Sequence, residues 1–266
     1  MNKGRLIGTG MTAEVYEWGK DKVLKLFFSG ISQKWIKNEA QIGKWVHEAG
    51  VPSPAVFGMV EVEKRKGIIF ERIAGKTMFG DVQAEPWKLF YYAQKLAKFQ
   101  YRIHRYRVQK LPSQKERFSL RIKSTYETLG DRTEKILAYL ESLPDGSSVC
   151  HGDFHFNNII VSGDRLVPID WTNAYQGNPL GDVARTCLMM LSPSKPPTIP
   201  DILTPMLQYS KWLIFWTYLN EYMGLSKAGF RDIDAWILPA AASKLCDKIP
   251  GEEKWLMDII DKRLKK

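Results

Sequence analysis

Residues 150–171 read CHGDFHFNNIIVSGDRLVPIDW, and no other stretch narrows the possible folds as far. Two short apolar runs, residues 158–161 and 166–169, flank turn-forming residues 162–165, which is the pattern of a β-hairpin. Closing that hairpin sets Asn158 beside Asp170 at its open end, with Asp153 in the loop just before the first strand. Three oxygen-bearing side chains then converge on one spot. Carboxylate and amide oxygens, together with phosphate oxygens, are the donors that a hard cation such as magnesium prefers.

The order of these residues adds a second restriction. HGDFHFNN has the H-x-D spacing of a kinase catalytic loop with an asparagine five residues after the aspartate, and Asp170 stands where kinases carry the metal-binding aspartate. In phosphoryl transfer by kinases the first aspartate receives the proton of the substrate hydroxyl, and the asparagine and second aspartate hold the metal ions. Transposed here, Asp153 is the candidate base, and Asn158 and Asp170 are the candidate magnesium ligands. Gly152 stands where protein kinases have arginine, and in this HGD form the stretch resembles the aminoglycoside phosphotransferase and choline kinase family of small-molecule kinases. That resemblance implies an α+β, bilobal, protein-kinase-like fold. Residues 1–75 would form a small antiparallel sheet with one helix that binds the nucleotide, and residues 76–266 a larger, mainly helical lobe for catalysis and substrate binding. It also implies Mg2+ as cofactor and ATP or GTP as phosphate donor.

The N-terminal part fits this frame. Residues 5–28 read as strands around a tight loop in which Gly8, Gly10, Ala13 and Val15 keep the G-x-G-x-x-G-x-V register, with Ala13 in the third glycine position. Glycines at the first two positions let the backbone approach a phosphate closely; a plain hairpin turn is the alternative. Lys25 lies inside the apolar run Val23-Leu24-Lys25-Leu26, and burying an ammonium without a partner is costly. A helix from a Ser32 cap to about His47, stopped by Gly50 and Pro52, puts Glu39 on one stripe with Trp35, Ile42 and Val46. A glutamate on an apolar face asks for a cation. Lys25 is the obvious one, giving the strand-lysine to helix-glutamate pair that positions nucleotide phosphates in kinases; two independent, partly exposed charges are the alternative. Residues 55–61 and 67–73 read as two further strands joined by the charged turn 63–66. By the resemblance, residues 70–75 are the hinge, where the main chain of Glu71 and Ile73 would hold the base of the nucleotide.

Beyond Gly75 the pattern turns helical. Pro86 opens a long amphipathic helix with Leu89, Phe90, Ala93, Leu96, Ala97 and Ile103 inward; Pro112 breaks it, and Ser113 caps a second that continues through Leu137 and Leu140. The Trp- and Tyr-rich segment 209–222 reads as core. Asp182, twelve residues past Asp170 at the start of an apolar helix, either caps that helix or braces the catalytic loop, and it matches the family's second aspartate. His151 reads as a structural residue that orients Asp153 rather than as a base. His155 has no assigned role, and His47 and His104 read as helix residues without chemistry. No long activation segment with an APE motif follows Asp170, which favours a small hydroxyl compound over a peptide as acceptor.

Composition sets the outer limits. With 44% hydrophobic and 26% charged residues, the chain is an ordinary globular one. Cys150, Cys187 and Cys246 have no metal or redox spacing, the first residues lack a signal-peptide core, and the apolar run 212–219 is too short for a bilayer. A reduced, cytoplasmic, membrane-free setting is therefore expected. The net charge of +10 gathers in residues 95–123, ten basic residues against Glu116 alone. Lys95, Lys98, Arg102 and Arg105 lie at helical spacing opposite the apolar positions, so a solvated helix face accounts for them, and no nucleic-acid fold signature supports the competing reading. The basic excess, including Arg263, Lys265 and Lys266, argues against a polycationic drug as acceptor. Trp171, Tyr175, Trp212 and Trp216 are of the right type to cage a quaternary ammonium, although their spacing favours core packing. The chain thus reads as a magnesium-nucleotide phosphotransferase acting on a hydroxyl of an unassigned small molecule. The alternative is a catalytically silent nucleotide-binding regulator with the same fold, and a monomer is the simplest expectation.

Overall fold

In the computed structural model, which describes residues 3–195 and 200–265, alternating side chains near the N-terminus produce strands β1 Leu6–Thr9, β2 Ala13–Glu17 and β3 Lys22–Phe27. Met1, Asn2 and Lys266, to which the readings of both termini extend, lie outside the described residues. Helix α1 Gln33–Glu48 buries Ile36, Glu39, Ile42, Gly43 and Val46, and strands β4 Val56–Val62 and β5 Arg65–Glu71 complete an antiparallel sheet ordered β1-β2-β3-β5-β4. Ala13, Phe27, Ile36 and Ile68 make one core cluster, and Trp18, Leu24 and Leu26 make another. Because side chains alternate along β3, Lys25 shares its face with Phe27 and not with Leu24 and Leu26. The β4–β5 turn is tighter than the expected 63–66. Glu63 and Lys64 alone make it, both at positive φ (52° and 61°), as a two-residue hairpin turn requires. Arg65 joins the strand because its guanidinium donates to the carbonyls of Leu26 and Phe27 and pairs with Glu14.

Strand β6 Lys76–Thr77 and helix α2 Met78–Ala84 follow, neither foreseen from the sequence. A short turn of 3-10 helix, Pro86–Lys88, leads into α3 Leu89–Ile103, then α4 Gln114–Lys123, α5 Tyr126–Leu129, α6 Arg132–Ser142 and β7 Ser148–Cys150. The single helix expected from Ser113 through Leu140 is three. Ser124 and Thr125 turn their hydroxyls back onto the carbonyls of Arg121 and Ile122, and Gly130 takes a φ of 55°. On α3 the inner positions include Tyr92, Phe99 and Gln100, whereas Phe90, expected inside, is exposed, as are Lys98, Arg102 and Arg105 of the basic stripe.

The central hairpin forms from β8 Ile159–Ser162 and β9 Arg165–Pro168, with β6 pairing along β8. It starts one residue later than expected, since Phe156–Asn158 is a 3-10 turn, and only Gly163 and Asp164 separate its strands. Strand β10 Tyr175–Gly177 pairs with β7. The remaining helices are α7 Pro179–Leu191, α8 Thr204–Ser226, α9 Phe230–Asp234, α10 Ile237–Lys244 and α11 Glu253–Leu264. The 209–222 segment is core on one side only: Phe215, Tyr218, Leu219 and Tyr222 are buried, while Tyr209 and Trp212 are exposed. Trp171 and Tyr175 are buried as well, so core packing is their use. No helix among the described residues is long and apolar enough to cross a membrane.

Contacts divide the chain into two compact units. Residues 3–81 and 156–174 form the first; residues 82–155, 175–195 and 200–265 form the second. The first is the antiparallel sheet with α1 and the central hairpin. The second is mostly helical, with Trp236, Tyr218, Tyr222, Phe118 and Phe154 among its largest fully buried side chains.

Candidate active site

In the first unit, Lys25 Nζ lies 2.6 Å from Glu39 Oε1 and 3.1 Å from Asp170 Oδ1. Strand β3 supplies the lysine, α1 the glutamate, and the residues after β9 the aspartate. Burial works against the charge on Lys25, but the Asp170 and Glu39 carboxylates outweigh it and raise its pKa above the ordinary lysine value. Glu39 is itself buried at 2% exposure, so the reading as two independent charges is excluded. Asp170 sits at a φ of 62°, a left-handed conformation uncommon for a residue with a side chain and a mark of local strain. Thr172 Oγ1 donates to Asp170 Oδ1 at 2.8 Å, and the Trp171 indole N–H donates to the Pro168 carbonyl at 3.1 Å, which fix this turn.

Asn158 is at the same end of the hairpin. Ile159 pairs with Pro168, and the Ile169 N–H donates to the Asn158 carbonyl at 2.9 Å. The side chains available there are an amide and a carboxylate, an all-oxygen set that fits a hard divalent cation. In the glycine loop Gly8 pairs with Val15, and the Gly10 N–H donates to the Ala13 carbonyl at 2.8 Å. Ala13 is 2% exposed and packs with Phe27 and Ile36, so a methyl group in the third glycine position fills core. At the expected hinge, the Glu71 N–H is committed to the Ala55 carbonyl at 2.9 Å, its carboxylate accepts the Ala55 N–H at 3.1 Å, and Ile73 lies past the end of β5.

In the second unit, β7 delivers the chain into the His151–Gly152–Asp153 turn. His151 is fully buried, its ring Nδ1 accepts the Asp153 N–H at 3.3 Å, and its ring packs edge-on against Phe154. Asp182 Oδ2 accepts the His151 N–H at 3.1 Å and Oδ1 the Gly152 N–H at 2.7 Å. Of the two uses open to Asp182, bracing the loop is the one found; Asn178 caps α7 through the Leu180 N–H at 3.0 Å. Gln100 of α3 and His104, which caps its C-terminal end, also bond Asp182 Oδ2, at 3.0 and 3.1 Å, and His104 Nδ1 meets the Tyr222 hydroxyl at 2.7 Å. Burial alone would raise the Asp182 pKa, but these bonds from His104 and Gln100 hold it below the usual carboxylate range.

His104 therefore helps to hold the His151–Asp153 turn, a structural use that the reading as a helix residue without chemistry left out. The available signal was its spacing: Gln100 and His104 stand four apart as polar residues on an apolar helix face. Cys150 also approaches His104 and Asp182, and its thiol is directed at the carbonyls of Ser148 and Asn178, at 3.6 and 3.8 Å. The cluster is a hydrogen-bonded brace.

Asp153 points its carboxylate, 28% exposed, toward His155, whose Nε2 is 3.5 Å from Oδ2. Burial would raise the Asp153 pKa, yet the bond and charge of His155, with Arg185 and His151 beyond it, hold the carboxyl well below its usual range. The histidine left unassigned by sequence is thus the close neighbour of the candidate base.

The fold has known counterparts. An aminoglycoside-3′-phosphotransferase of type VIII is 17% identical with a TM-score of 0.60, the match covering 92% of this chain and 91% of that one. The amicoumacin kinase hAmiN in complex with AMP-PNP, Ca2+ and Ami is 14% identical with a TM-score of 0.63, covering 98% and 88%. Choline kinase from Cryptosporidium parvum is 13% identical with a TM-score of 0.57, covering 98% and 87%. At these identities the likeness is one of fold, and it is kinase-like. No curated protein sequence is a significant match. The sequence model of one family does match, over residues 3–203, and by that match the chain belongs to the phosphotransferase enzyme family.

Proposed function

We propose that the protein transfers the γ-phosphate of a magnesium-bound ATP or GTP to a hydroxyl group of a small molecule. The observation that carries this reading is the convergence of Lys25 and the buried Glu39 with the exposed carboxylate of Asp170, an arrangement that fits a charged ligand. Gly8 and Gly10 would cover the phosphates, Lys25 held by Glu39 would bind them, and the main chain of Glu71 and Ile73 would hold the base. Asn158 and Asp170 would hold Mg2+, which when bound neutralises charge on the phosphate oxygens. Asp153, ionised at neutral pH, is ready to accept the hydroxyl proton, and His151 and Asp182 keep its loop in place. On this assignment residues 1–75 act as the nucleotide-binding lobe and residues 76–266 as the catalytic and substrate-binding lobe.

The solved structures it resembles include an aminoglycoside phosphotransferase, an amicoumacin kinase and a choline kinase, which supports a small hydroxyl compound as acceptor. The net charge of +10 counts against a polycation. Two buried cysteines among three free ones suit a reduced cytoplasm. A silent regulator is the weaker reading, because Lys25, Asp153, Asn158 and Asp170 are all present.

The test is a nucleotide-turnover screen with Mg2+, ATP or GTP, and a panel of aminoglycosides, macrolides, choline, thiamine, amino alcohols and sugars, with Asp153→Ala as blank. Turnover that needs one acceptor and disappears in the blank supports the proposal. Tight nucleotide binding with no transfer to any acceptor favours the regulator.

A further inference from the structure

The catalytic loop is held by more than Asp182. Arg185, one helical turn further along α7, donates from Nε to the Gly152 carbonyl and from Nη2 to Asp247 Oδ2 at 2.9 Å. Thr186 Oγ1 donates to the Phe154 carbonyl at 3.1 Å. Positions 182, 185 and 186 share one helix face, so a single face of α7 grips the backbone of residues 151, 152 and 154. Gly152 is held on both sides, its N–H by Asp182 and its carbonyl by Arg185, at a φ of 76° that favours glycine.

Arg185 is a poor choice for stability alone. It is 3% exposed, and its Nη1 is buried without a hydrogen-bond partner among the described residues. An apolar residue of similar volume would avoid both costs. The surroundings add to the burden: burial and the nearby Arg121 and Arg185 guanidiniums lower the pKa of Arg117 to about 10. One carboxylate, Asp247, answers both Arg185 and Arg121. Asp247 ends the 3-10 turn Leu245–Asp247, beyond residues 3–203 matched by the family.

We infer that Arg185 is a positioning residue for Asp153, fixing the Gly152 carbonyl and thereby the direction of the following side chain, and that Asp247 holds Arg185 in place. Lysine cannot replace it, because one ammonium does not reproduce the forked pair of bonds. The inference rests on the phosphotransferase function proposed above, so its test combines a readout that needs turnover with one that does not.

Arg185→Gln, Arg185→Lys and Asp247→Asn are compared with the wild type in the full chain. Amide hydrogen exchange of Gly152 and Asp153 should quicken about tenfold or more in each variant, relative to the amides of Gln100 and His104. The kcat for transfer should fall about 10²-fold in Arg185→Gln, with the KM for nucleotide within about twofold of wild type and Arg185→Lys restoring only part of the loss. If Arg185→Gln does not fold, Asp247→Asn supplies both readings. Unchanged loop exchange in folded variants overturns the clamp, whatever the turnover. Faster loop exchange with unchanged kcat overturns the positioning role. If the wild type transfers phosphate to nothing, the proposed function fails, and the exchange reading alone decides whether Arg185 and Asp247 hold the loop.

Discussion

A lysine in the middle of a strand must be paired, and Lys25 meets two carboxylates within 3.1 Å. Residue by residue, the site consists of such solved problems: a buried Glu39 answered by Lys25, a left-handed Asp170 held by Thr172, an Asp153 kept ionised by His155. Glu39→Gln keeps the shape and removes one of the two charges that order Lys25. The expected result is a loss of about ten- to a hundredfold in kcat/KM for the nucleotide, the size of one charge-assisted hydrogen bond, read by steady-state kinetics with varied Mg-nucleotide. An unchanged kcat/KM would mean that the pair serves the fold alone. For Asp153 the sign follows from its neighbours. His155 is the chief influence lowering its pKa, so His155→Gln should raise it toward the ordinary carboxylate value of about 3.9. The acid limb of the pH–rate profile then moves to higher pH, while a profile identical to the wild type would disconnect His155 from Asp153.

At the scale of elements, α7 and α3 are the supports of the catalytic loop. Asp182 joins them, accepting from Gln100 of α3, from its cap His104 and from the loop through two backbone N–H groups. Its pKa is lowered in the folded state. Its contribution to stability is therefore complete above the unfolded-state pKa of about 3.9 and is lost as pH falls through the lower folded-state value. Asp182→Ala should cost about 3–5 kcal/mol at neutral pH in denaturant titration, because it leaves buried donors unanswered, and should flatten the acid end of the stability profile. A cost below about 1 kcal/mol would show that the brace carries little. The hairpin, with Asn158 and Asp170 at one end, was legible beforehand since it depends on spacing within about twenty residues of chain. Lys25 and Glu39 were legible because each breaks the apolar pattern of its own element. The Gln100–Asp182 bond spans 82 residues, and the grip of Arg185 on Gly152 spans 33; such pairings follow only from helix packing. The division of one expected helix into α4, α5 and α6 was hidden for another reason: Ser124 and Thr125 bond backward onto carbonyls, a local competition that an apolar periodicity does not register.

At the scale of the whole molecule, the candidate site residues fall in both compact units. The first holds Lys25, Glu39, Asn158 and Asp170, and the second holds Asp153 with its braces. Only four residues of chain separate Asp153 from Asn158, so the HGDFHFNN motif runs from one unit into the other. The proposed role of Asp153 is to accept the hydroxyl proton, with Lys25, Asn158 and Asp170 proposed to hold the Mg-nucleotide. It is tested most directly by single-turnover transfer from γ-labelled ATP or GTP to the acceptor identified by the screen, comparing wild type with Asp153→Ala alongside the nucleotide Kd of each. The account predicts a rate lower by about 10²- to 10⁴-fold in the variant with nucleotide affinity retained. Equal rates in the two proteins would contradict it.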